Sequence, residues 1–95
     1  MYTIYVKFIC FDNKREAFIK KVQETGVLNS ILSEDGCIKY DYYLSNIDPN
    51  ELLLIEFWES KDHQQIHLTQ PHMDTLRSFK DDYIKTTEIK EIIIK

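Results

Sequence analysis

The chain has 95 residues, 43% of them hydrophobic and 29% charged. That is room for one domain over residues 1–95 with a single core, far from the composition of a disordered or collagen-like chain. A formal net charge of −4 argues against nucleic-acid or anionic-lipid partners held by electrostatics. Apolar runs such as Leu52–Ile55 and Ile92–Ile94 fall well short of the ~18 residues that cross a bilayer, so no membrane partner is expected. Strand-like alternation begins at Met1, with no charged-then-apolar leader. Two cysteines, Cys10 and Cys37, make no disulfide framework, and a reduced, cytoplasmic protein is the expectation.

Tyr2 to Phe11 is β-branched or aromatic at most positions and reads as a strand. Tyr2, Ile4, Val6, Phe8 and Cys10 share one face; Tyr5, Ile9 and Phe11 share the other. Asp12 or Asn13 is placed to cap a helix bearing Ala17, Phe18 and Val22. Gly26 interrupts it, and Val27, Leu28, Ile31 and Leu32 continue the stripe until Gly36. Cys37 to Ser45 is a second strand, with Ile38, Tyr40, Tyr42 and Leu44 on one face. Asp48-Pro49-Asn50 is a turn signal, because proline presets φ and Asp/Asn bond locally to backbone. Leu52 to Glu59 is then a third strand, hairpinned to the second. Leu52, Leu54 and Trp58 lie on one face, Leu53, Ile55 and Phe57 on the other. Ser60 caps a helix through Leu68. Pro71 opens a further helix in which Met73, Leu76, Phe79 or Lys80, and Tyr83 recur at helical spacing. Thr86 to Lys95 is the last strand, with Ile89 and Ile93 opposite Ile92 and Ile94.

The order β-αα-β-β-αα-β has a natural solution: a ferredoxin-like α+β sandwich, with a four-stranded antiparallel sheet and both helical segments on one face. All four strands carry apolar residues on both faces. A soluble monomer does not leave such a face wet, so a homodimer packed sheet against sheet is expected.

Three segments carry a further signal: Glu34-Asp35-Gly36-Cys37-Ile38-Lys39-Tyr40, Leu54-Ile55-Glu56-Phe57-Trp58-Glu59-Ser60, and His67 with Gln70-Pro71-His72-Met73. In pattern and spacing they resemble the antibiotic biosynthesis monooxygenase family, and within it the small quinol monooxygenase branch. The resemblance implies a dimeric α+β barrel with a small pocket between helices and sheet. It also implies oxygenation of electron-rich aromatics by molecular oxygen without metal or flavin. Haem-degrading relatives are similar at Trp58, but they carry a tryptophan where His67 stands and a histidine near Arg77. They also have an asparagine on the first strand, where this chain has Tyr5, Val6 and Lys7. Haem degradation is therefore not expected. Isomerase relatives share a histidine pattern like His67 and His72.

His63, His67 and His72 fall within ten residues. His63 and His67 are four apart, a spacing metals use, with His72, Glu56 or Glu59 as a possible third ligand. Ordinary zinc signatures are missing, and no metal and no cofactor are expected. His67 is the candidate general base, since an imidazole with a reference pKa of about 6.5 takes a proton near neutrality. Its neighbours Ile66 and Leu68 place it at the edge of the core. His72 either serves the pocket or satisfies backbone groups at a helix start. Trp58, Tyr40 and Tyr42 are candidates to wall a pocket for a flat ring. Glu56, between Leu54 and Trp58 on an apolar face, needs a partner or faces the pocket. Cys37 reads as a small buried residue, and Lys80-Asp81-Asp82 as a solvated face.

The function expected is a cofactor-independent monooxygenase acting with O2 on a small aromatic substrate of quinol or anthrone type. His67 would deprotonate that substrate, and the electron-rich anion would pass electrons to oxygen itself. Two alternatives use the same pocket: an isomerase of a small carbonyl compound, and a dimer that binds a small ligand without turning it over. Oxygen consumption separates them.

Overall fold

The alternating β-branched and aromatic stretches form strands, and the stretches with helical spacing form helices. The elements are β1 (Tyr2–Cys10), α1 (Arg15–Glu24), α2 (Val27–Leu32), β2 (Cys37–Leu44), β3 (Glu51–Trp58), α3 (Lys61–His67), α4 (Pro71–Lys80) and β4 (Ile84–Ile92). This computed structural model describes residues 1–93. The strands form one antiparallel sheet in the order β2-β3-β1-β4, the ferredoxin-like α+β arrangement.

The helices cover the face that carries Ile4, Val6, Phe8 and Cys10 of β1 and Leu52, Leu54 and Trp58 of β3. Phe18 and Val22 of α1, Val27 and Ile31 of α2, and Met73, Leu76 and Phe79 of α4 close over it. Each such side chain contributes about 1.5–3 kcal/mol when fully removed from water. Phe18 is the hub, with ring centroids 6.0–6.2 Å from Phe8, Tyr42, Phe79 and Tyr83. Tyr5, Ile9, Leu53, Ile55 and Phe57 fall on the opposite sheet face and stay half-buried. Among the described residues, no helix is long and apolar enough to cross a membrane.

Two of the expected helix starts hold. Ser60 Oγ accepts from the His63 backbone N–H at 3.2 Å, and Pro71 occupies the first turn of α4 with Gln70 before it. The first helix start differs. Lys14 holds the cap position without a side-chain bond, because the turn diverts both expected caps. Asn13 sits at φ 65°, and Asp12 Oδ1 accepts from Asn50 Nδ2 at 2.8 Å. Ala17 is exposed.

Burial on both faces of every strand does not hold. A bulge between Cys37 and Lys39 turns Ile38 out to 53% exposure, while Tyr40 and Tyr42 stay inward. Leu44, at the strand end, is also exposed. The last strand starts at Ile84, two residues earlier than expected, and Ile84 is its one buried residue. Ile89 pairs with Val6 on the helix side yet is 66% exposed, because the helices stop short of this sheet edge. Ile94, expected on the same strand, lies outside the described residues.

Candidate functional site

The site is assembled where three chain segments converge over the β2–β3 side of the sheet. After α2, Glu34-Asp35-Gly36 turns the chain into β2, and Gly36 takes φ +80°, a conformation that suits glycine. The turn carries Glu34 beneath the junction of α3 and α4. On α3, Gln64 and His67 are three apart and both buried, as one helix face requires. Ile66 and Leu68, expected to seat His67 at the core edge, are instead 58% and 39% exposed. Successive helical residues diverge by about 100°, so the inward position of His67 sends its two neighbours outward.

His67 is 2% exposed. Its ring lies 4.7 Å from Trp58, centroid to centroid, at 36°, and 5.8 Å from Tyr40. Its Nδ1 is 2.7 Å from Glu34 Oε2, and the same oxygen is 2.7 Å from His72 Nε2. An ionised carboxylate oxygen only accepts, so both ring nitrogens donate to it. His67 in its neutral form is therefore protonated at Nδ1, with a lone pair on Nε2. Burial holds the His67 pKa below its ordinary value, against the upward pull of Glu34, and His72 and Arg77 add to the lowering.

Beneath this pair, Glu56 lies on the helix-covered face of β3 at 6% exposure, in register between Ile4 and Tyr40. Trp58 Nε1 donates to Glu56 Oε1 at 3.0 Å. Burial pushes the Glu56 carboxyl up to about 7; the indole N–H opposes this and Glu34 adds to it. The phenols of Tyr40 and Tyr42 are raised as well, chiefly by burial. Among the described residues, no buried side-chain nitrogen or oxygen lacks a partner. The hydrogen bonds among them engage His67 at Nδ1 and Glu56 at Oε1.

Of the residues singled out in the sequence, His67, Trp58, Tyr40 and Glu56 thus form one cluster, and His72 joins it through Glu34. Tyr42 is one ring further, 6.0 Å from Tyr40. His63 stands apart, with Nδ1 2.7 Å from Ser60 Oγ and Nε2 3.4 Å from Asp35 and 3.6 Å from Glu59. Glu34 was not among the expected site residues. Its signal was its place in the Glu-x-Gly turn, but 33 residues separate it from His67. A recess of about 150 Å³ is lined by Glu34, Asp35, His63, Ile66 and Gln70, so Glu34 borders both this opening and the buried histidine. A larger hollow of about 370 Å³, lined by Asp12, Asn13, Arg15, Glu16, Pro49 and Asn50, contains none of these groups.

Glu34, His67 and His72 are residue types that bind metals, as are Asp35, Glu59 and His63. In the first group one oxygen touches both nitrogens at 2.7 Å, which is hydrogen-bond spacing. Donor atoms around an octahedral ion with bonds of about 2.1 Å stand about 3 Å apart, so an ion would have to displace these contacts.

The chain is thus a ferredoxin-like α+β domain that holds a carboxylate-tethered histidine stacked on a buried tryptophan. Residues 1–77 match the family described as antibiotic biosynthesis monooxygenase. The chain belongs to that family, and the matched residues contain every member of the cluster. Three solved structures share the fold. A conserved protein from Methanosarcina mazei Go1 is 24% identical over 100% of this chain and 95% of its own, with a TM-score of 0.84. A protein from Pseudomonas aeruginosa is 16% identical over 99% and 93%, with a TM-score of 0.85. A structure described as an antibiotic biosynthesis monooxygenase is 16% identical over 100% and 99%, also at 0.85. Likeness at these identities is one of fold. No curated protein matches the chain significantly.

Proposed function

We propose that the protein is a cofactor-independent monooxygenase that oxidises a small electron-rich aromatic of quinol or anthrone type with O2, with His67 as general base. The observation that carries this reading is the tethered imidazole. Glu34 fixes the tautomer through Nδ1, and burial lowers the His67 pKa, which favours the neutral ring. Nε2 is then an available base in a site sheltered from water. Trp58, Tyr40 and Tyr42 pack on His67 and on one another and are the rings this reading sets against an aromatic substrate, and His72 braces Glu34 from α4. Proton removal yields an anion that reduces oxygen directly, so orientation and a base are what the protein adds.

The working unit in this reading is a homodimer. Tyr5, Leu53, Ile55 and Phe57 leave an apolar sheet face half open, the kind of surface a second copy covers. The two free cysteines suit a reduced compartment such as the cytoplasm. The test is oxygen uptake by the purified protein, after elemental analysis, on a panel of hydroquinones and anthrones. Turnover with well under one metal ion per chain supports the reading. Turnover that tracks a bound metal overturns it. Substrate conversion without oxygen uptake replaces it with the isomerase.

A further inference from the structure

We propose that Glu56 is the second proton-transferring residue of this site: it delivers a proton to the peroxide formed when O2 adds to the substrate anion. This inference rests on the oxygenase reading above and assigns the acid which that reading lacks.

The placement of Glu56 argues for it. Leu52, Leu54 and Trp58 share its strand face and are core residues, so an apolar side chain would serve packing at lower cost. A buried carboxyl with no cation beside it is driven to the neutral, protonated form. Its side-chain partner among the described residues is the uncharged indole of Trp58. No ionic partner holds Glu56 as a carboxylate, and its elevated pKa agrees with that. The same indole stacks on His67, so base and acid meet two parts of one aromatic wall, His67 held through Nδ1 and Glu56 through Oε1. The titratable groups around Glu56 are Tyr40, Tyr42 and Cys37 of β2, Tyr2 of β1 and Glu34 of the α2–β2 turn, with His67 of α3 reached through the Trp58 indole. None is a fixed cation.

The steps balance for a substrate with an acidic methylene carbon. His67 Nε2 takes one methylene proton and leaves a carbanion. Its electron pair forms the C–O bond to O2, which is reduced to a bound peroxide anion. The Glu56 carboxyl protonates the distal oxygen, giving a hydroperoxide and a carboxylate. That carboxylate removes the second proton from carbon as the O–O bond breaks and the carbonyl forms. The departing hydroxide takes the proton from His67 and leaves as water. Both residues return to their starting states, and the net change is CH2 plus O2 to C=O plus H2O.

Glu56→Gln keeps an oxygen that accepts from Trp58 but has no carboxyl proton. With an anthrone as probe, two steps are read separately. Anaerobic exchange of the methylene proton for deuterium reports on His67; aerobic formation of the oxidised product and of free hydrogen peroxide reports on the later steps. The variant should exchange at close to the wild-type rate, form product at least about tenfold more slowly, and release peroxide. Glu56→Asp should recover part of the product rate. The wild-type rate of product formation should fall on the alkaline side as Glu56 ionises, and the variant should lose that limb. Fluorescence of Trp58, the single tryptophan, should titrate near neutral pH in the wild type and not in Glu56→Gln. Equal loss of exchange and oxidation in a folded Glu56→Gln would make Glu56 a structural support and overturn the proposal. So would unchanged oxidation with an unchanged pH profile. Wild-type exchange without oxygen uptake would overturn the oxygenase reading, and the peroxide step with it.

Discussion

Glu34 and His67 meet across a sequence separation of 33 residues, with a carboxylate oxygen 2.7 Å from Nδ1. This contact sets which nitrogen of a nearly inaccessible imidazole is left to act. The Glu34 side chain is itself only 9% exposed and is shared with His72, so both partners are held in place before any substrate arrives.

His67→Ala should lower turnover of a quinol or anthrone by about 10²–10⁴-fold with the fold retained, whereas His63→Ala should leave the rate nearly unchanged. The wild-type rate should rise with pH as His67 loses its proton, ahead of the alkaline fall that ionisation of Glu56 brings. Because burial lowers the His67 pKa, the midpoint should lie below about 6.5. Equal losses in the two variants would point to a metal site or a structural role.

Glu34→Gln should cost about 10²-fold or more, since an amide that donates to Nδ1 reverses the tautomer. Losing the anion also removes an upward pull on His67, so the rising limb should move to still lower pH. A limb that moved up would contradict this electrostatic account.

Gly36→Ala should destabilise the protein by about 1–3 kcal/mol. Gly36 holds φ +80°, and an added Cβ there would collide with the His63 ring. Adding His63→Ala should remove the ring's part of the collision but leave its Cβ close by and the backbone strain in place, so thermal melts of the two single variants and the double should show partial recovery.

Ile55→Asp should give a folded chain of half the wild-type mass by light scattering, because Ile55 lies on the sheet face opposite the helices. Ile4→Asp should fail to fold, since Ile4 is 5% exposed beneath them. Wild-type protein at monomer mass across micromolar concentrations would remove the dimer.

Stability should carry two opposed pH dependences. Glu56 is raised from 4.5 to about 7 on folding; its contribution is full below pH 4.5 and is lost as pH rises through 7. The loss amounts to about 3 kcal/mol. His67 is lowered, so its contribution is present above its ordinary pKa and is lost as pH falls through the folded value. Urea unfolding at several pH values should show Glu56→Gln gaining on the wild type between pH 5 and pH 9. A difference that did not vary with pH would mean that Glu56 does not titrate.

The order of elements was written in the sequence, because alternation in Tyr2–Cys10 and Glu51–Trp58 and the starts at Ser60 and Pro71 are local signals. The family motif likewise lay along the chain, and it brought His67, Trp58 and Glu56 into view. Which face of the sheet the helices cover was not legible. A period-two pattern apolar on both sides is the same from either side, and only packing put Ile4 inside and Ile55 outside. Nor could the chain announce the bulge that expels Ile38, or the short reach of the helices that exposes Ile89, since both depend on neighbours distant in sequence. The same holds for the site. That Glu34 would fix the tautomer of His67, and that Trp58 would touch both His67 and Glu56, required a turn after α2 and the inward face of α3 to converge on β3. Burial then changed the proton affinities of groups whose identities alone had given only reference values.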